Sequence, residues 1–125
     1  MVKSIVTIIC ASVIIIVGAV FESRLLQNNF SELNSSFTLL YQKAESHIAT
    51  EDDVLAVQKN WLNKKKTLHA FIPHTEIKEI DLWVSETVTL VKDQEWSDAI
   101  SKIQVLIELS EQIPELYRLK FGNIF

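Results

Sequence analysis

The chain has 125 residues, with 12 Lys or Arg against 16 Asp or Glu and a net charge of −4. That length leaves room for one domain beside a membrane segment. Two Gly and two Pro are too few for the many tight turns of a strand-rich fold, so the composition points to an all-α chain. From Glu22 onward 11 basic residues face 16 acidic ones, a balance of −5, which excludes the concentrated positive field that nucleic acid binding needs.

The first element is apolar. Ile5 to Phe21 contains no charged residue, and in lipid such a segment has to close its backbone hydrogen bonds internally as a helix. Residues 4–21 are therefore expected to form a transmembrane signal-anchor helix, with Lys3 and Arg24 snorkelling at its ends. A cleaved secretory signal is the alternative, because Val17-Gly18-Ala19 offers small residues for a peptidase. A lipoprotein signal at Cys10 fails, since Ile9 is bulky where a small residue is needed. Cys10 is the sole cysteine, which excludes an intramolecular disulfide. Lys3 and Arg24 nearly balance, so charge specifies orientation weakly. The expectation is a single-pass plasma-membrane protein with its N-terminus inside and the domain extracytoplasmic.

Residues 22–125 read as an all-helical soluble domain. Leu26, Phe30, Leu33, Phe37, Leu40, Ala44 and Ile48 form a helical stripe that continues from the membrane segment without Gly or Pro, while Gln27, Asn28, Asn29, Asn34 and Ser35 are expected to face water. Thr50 followed by Glu51, Asp52 and Asp53 marks the start of a second helix. Its stripe is Val54, Val57, Trp61, Leu68 and Ile72, with Lys65 at the intervening position, and Pro73 should end it at Ile72. A third helix from about Glu76 carries Ile77, Ile80, Val84, Val88 and Val91; the spacing is helical although the β-branched content invites a strand. After a turn at Asp93 and Gln94, Trp96, Ala99, Ile100, Ile103, Leu106 and Ile107 give a fourth. Pro114 and Gly122 then predict a short C-terminal helix from Pro114 to Phe121. A faint duplication relates Glu32-Leu33-Asn34 before the turn at Glu51 to Glu79-Ile80-Asp81 before that at Asp93. Two antiparallel helix hairpins produce this pattern, as a four-helix bundle or a short helical-repeat stack.

No nucleophile and base, phosphate loop or paired-cysteine motif occurs, so neither an enzyme nor a cofactor is expected. His69, His74 and Glu76 cluster around Pro73 without the i, i+4 histidine pair of a helical metal site, and His74 is read as capping the third helix. Trp61 and Trp96 lie on core stripes. Lys64-Lys65-Lys66 reads as a solvated helix face. Leu55, Leu62, Trp83 and Leu90 form a second apolar line, either a partner surface or the wide stripe of a helix touching two neighbours. Finally, Lys65 and Asp81 are equidistant from Pro73, so an antiparallel hairpin would bring them together and fix its register.

As a set, Trp61, the lysine run, Phe71-Ile72-Pro73-His74, Glu76-Ile77, Ile80-Asp81, Asp98-Ala99 and Ile113-Pro114-Glu115 resemble an uncharacterised family of short membrane-anchored helical proteins of spore-forming Gram-positive bacteria, a domain of unknown function. The resemblance covers nearly the whole chain, though Lys78 stands where that family would carry an acid. It implies architecture and address but no activity, and an accessory role beside a multi-spanning membrane protein. The expected function is a membrane-anchored, non-catalytic interaction module bound to lipid through the first helix and to a protein partner through the domain. The alternative is an extracytoplasmic ligand-sensing bundle.

Overall fold

The computed structural model describes the backbone of residues 1–124 and the side chains of residues 1–117. Four helices, α1 (Val2–Glu45), α2 (Glu51–Leu68), α3 (His74–Lys92) and α4 (Trp96–Ile124), account for the chain, with no strand among the described residues. The β-branched run of α3 is helical because its buried positions, Ile77, Ile80, Val84, Thr87 and Val91, follow the helical period.

α1 is one uninterrupted helix of 44 residues, about 66 Å long at ~1.5 Å per residue. Its first half is apolar and faces outward, whereas its second half buries Leu26, Phe30, Leu33, Phe37, Leu40 and Ala44. The stripe stops before Ile48, which is 64% exposed. His47 adopts φ 58°, and this left-handed residue turns the chain so that Ala49 enters the core instead. The Ile48 N–H donates to the Lys43 carbonyl and the His47 N–H to that of Ala44. After α3 the same bonds recur, Glu95 to Leu90 and Gln94 to Val91, with Gln94 at φ 57°. The sequence duplication thus extends to the two turns, each a Schellman closure built on a residue other than glycine.

α2 begins at the expected cap. The Thr50 hydroxyl accepts from the Asp53 N–H at 3.1 Å and the Thr50 N–H donates back to Asp53 Oδ2 at 2.9 Å, a reciprocal capping box. Its end lies at Leu68 rather than Ile72. Pro73 denies the His69 carbonyl its helical donor and disfavours helical geometry at Ile72, so residues 69–72 form a turn and Ile72 still reaches the core. α3 then starts at His74, ahead of Glu76, with Pro73 in the cap position and no side-chain cap bond. His74 is the first helical residue, so it does not cap the helix.

The separate C-terminal helix is absent: α4 passes through Pro114 to Ile124. Pro114 cannot donate to the Ser110 carbonyl, an interior position that costs about 3 kcal/mol. Packing up to the proline holds this part of the helix, because Ala99, Ile103, Leu106, Ser110 and Ile113 are all buried.

α1 packs on α2 and α4, and α3 packs on the same two helices. Contact between the first and last helices closes the ring, which makes the arrangement a helical bundle; an open repeat stack would leave them apart. The α1–α4 seam contains a polar contact missed by the helical pattern. Asn34, expected in water, is half-buried and donates to Ser110 Oγ at 2.9 Å, and Ser110 itself donates to the Ile107 carbonyl at 2.6 Å.

Candidate functional site

The α2–α3 seam carries a polar cluster that reaches the core. Trp61 sits on the buried face of α2 with 1% exposure, because it falls one helical turn after Val57. Lys65, one turn further, occupies the same stripe but lies where the seam opens. Asp81 faces both from α3. Its Oδ2 accepts from Lys65 Nζ at 2.7 Å, and its Oδ1 accepts from the Trp61 indole N–H at 2.7 Å. The Lys65 and Asp81 side chains are each 33% exposed, so water screens this ion pair in part. The buried indole has no such relief, and Asp81 is its acceptor. The indole bond was not legible in sequence, although a tryptophan four residues before a stripe lysine was the available signal.

The remaining candidate residues are dispersed. Trp83 is half-buried against the core, with Lys102 Nζ 4.4 Å above its ring, a cation–π contact. Leu90 is likewise half-buried against the core. Leu55 and Leu62 are 40% and 46% exposed. The second apolar line therefore splits: its α3 members pack and its α2 members face outward. His74 is exposed at the α2–α3 turn, its ring edge-on to His69 at 5.6 Å. Trp96 stacks on His47 at 5.4 Å, joining the two Schellman turns.

Two carboxyls are electrostatically distinct. The Thr50 N–H and then the Lys43 ammonium, 3.0 Å away, hold Asp53 below the usual carboxylate range. Glu76 is pushed above it by burial first and by the nearby Glu79 charge second, against a lowering contact from Tyr117. Glu76 Oε2 is buried and has no hydrogen-bond partner. Burial, then the Glu76 charge, raises the Tyr117 hydroxyl in turn.

Among the described residues no group of three or more His, Cys, Asp or Glu is arranged to hold a metal ion. The concave surfaces are open. A groove of about 560 Å³ between α3 and α4 is lined by Ser85, Glu86, Thr89, Leu90, Asp98 and Lys102. A hollow of about 710 Å³ on the outer side of α2 is lined by Lys59, Leu62, Asn63, Lys65, Lys66 and His69. Neither is lined by the Trp61 indole.

The chain belongs to the family described as Domain of unknown function (DUF4363), whose model matches residues 20–124. No curated protein and no solved structure matches it. The family match begins at the end of the apolar run and takes in the whole bundle.

Proposed function

We propose that this member of the family is a single-pass membrane protein whose two antiparallel hairpins hold a non-catalytic interaction surface close to the bilayer. The observation that carries this reading is the outward-facing first half of α1. It has a window of mean hydropathy 2.8 with none of its residues buried inside the protein. A contiguous apolar surface of this kind is costly in water and satisfied in lipid. The ion pairs Lys43 to Asp53, Lys64 to Glu32, Lys65 to Asp81 and Lys102 to Glu86 step outward from the successive turns, which supports the hairpin arrangement.

Leu55 and Leu62 on α2 are the candidate contacts for a protein partner, in keeping with an accessory role to another membrane protein. The plasma membrane is the proposed address, with the bundle extracytoplasmic. In a Cys10→Ser background, Ser97→Cys should react with a membrane-impermeant thiol reagent on intact cells; labelling only after lysis reverses the orientation. A photo-crosslinker at Leu62 should give a discrete protein adduct in membranes that one at Ser101, on α4, does not. Equal adducts from both positions would defeat the interaction surface. Ligand sensing draws on the α3–α4 groove with its Ser85, Glu86, Thr89 and Asp98, and a crosslinking pattern centred there favours it.

A further inference from the structure

Within an acidic domain, residues 54–74 contain no Asp or Glu, yet carry Lys59, Lys64, Lys65, Lys66, His69 and His74. The fold places one end of this segment at a defined height. The pairs Lys43 with Asp53 and Glu32 with Lys64 are both centred on residue 48, so His69, just past the end of α2, lies opposite about residue 27 of α1. The following turn reaches about residue 24. At ~1.5 Å per residue this is roughly 5–9 Å beyond Phe21, and the polar layer of a bilayer occupies about 5–7 Å on each side of its hydrocarbon core. The α2–α3 turn thus stands at the height of the lipid headgroups if α1 spans the bilayer.

The groups presented there suit anionic headgroups. Lys66, His69 and His74 are exposed, and Arg24 is exposed at the same height on α1. Lys64 and Lys65 are engaged with Glu32 and Asp81, whereas Lys66 and Arg24 form no ion pair among the described residues. Acids on α1, α3 and α4 lie near Tyr117, and the sequence of α4 there also contains Arg118 and Lys120. Glu22 and Glu76 act on Tyr117, Glu79 acts on Glu76, and Glu115 lines a hollow with Gln27, Glu111 and Pro114. Around the α2–α3 turn itself the exposed charge is basic, since residues 54–74 contain no Asp or Glu.

We propose that the α2–α3 corner, through Lys66, His69, His74 and Arg24, rests on the bilayer that holds α1 and binds the phosphates of anionic lipid headgroups. The inference depends on the membrane-spanning reading of α1. Lysine stems extend their ammonium groups toward the interface, and each basic side chain at an anionic surface shifts the docked-to-free ratio by about fivefold.

The test uses the full chain with Cys10→Ser in nanodiscs of phosphatidylcholine, with or without phosphatidylglycerol. A fluorophore is placed at Val13→Cys, Ala70→Cys or Ser97→Cys. Nitroxide lipids spin-labelled on the acyl chain or the headgroup serve as quenchers. Acyl-chain quenching at position 13 reports the span. Headgroup quenching at position 70 should appear with phosphatidylglycerol, weaken with salt, and exceed that at position 97. Lys66→Gln should lower the docked-to-free ratio about fivefold. With position 13 quenched, equal responses at 70 and 97, or indifference of position 70 to phosphatidylglycerol, overturn the docking and leave the span standing. Loss of quenching at position 13 overturns the span and the docking with it.

Discussion

Asp81 should matter more to stability than the lysine with which it pairs. Lys65→Met keeps an apolar stem in place and removes only a partly screened ion pair, whose two side chains are each 33% exposed; about 0.5–1 kcal/mol is at stake. Asp81→Ala removes that pair and also the acceptor of the Trp61 indole, in a tryptophan 1% exposed. An unsatisfied buried donor adds about 1–3 kcal/mol, so the total loss is about 1.5–4 kcal/mol. Asp81→Asn keeps an acceptor and should lie between the two. The charge swap Lys65→Asp with Asp81→Lys restores opposite charges but gives the indole no acceptor, so recovery should be partial. Urea denaturation of the full chain in detergent micelles, followed by far-ultraviolet circular dichroism, measures each loss. In a Trp61→Phe background, Asp81→Ala should cost only the ion-pair share. If Asp81→Ala costs no more than Lys65→Met, the indole bond contributes nothing and the reasoning fails.

Gln94→Gly should raise stability by about 1 kcal/mol, because Gln94 holds a left-handed conformation at φ 57° that glycine adopts without steric cost. His47→Gly should gain less, since it also removes the stack on Trp96; thermal denaturation compares the two. The raised pKa of Glu76 means that the folded state holds its proton more tightly than the unfolded one. Stability relative to Glu76→Gln should therefore fall as pH rises above the ordinary glutamate value through the raised one, and the two proteins should converge in acid. Asn34→Ala should cost about 1–2 kcal/mol by removing the α1–α4 contact to Ser110, an effect visible in the same denaturation assay.

The parts of the fold that follow from local rules were legible in sequence. Thr50 and Asp53 announce their own cap, and the Leu26 to Ala44 stripe can be read by spacing because one face is buried throughout. Lys65 and Asp81 were accessible through arithmetic, since two arms of equal rise meet at equal distances from their turn. Where tertiary packing overrides a local preference, the sequence misleads. Pro114 should end a helix, yet burial of Ile113 and the residues before it carries α4 through. Asn34 has the polarity of a water-facing residue, and only the approach of α4 supplies its partner. His74 offered a plausible cap, but Pro73 takes that place and leaves the imidazole outside. The basic α2–α3 corner required both a charge pattern and a height above the apolar run, and height emerges only once the helices are in register.

The most direct test of the account is cysteine scanning along α1, from residue 2 to residue 28, in the Cys10→Ser full chain in native membranes with a water-soluble thiol reagent. A span predicts an unbroken protected window over about residues 5–21, as one turn after another lies in lipid, with reactivity returning at exposed Arg24. Protection recurring every three or four residues would mean that this half of α1 packs against another protein with its remaining face in water, and uniform reactivity would mean that it lies outside the membrane altogether; either result contradicts the membrane-spanning account.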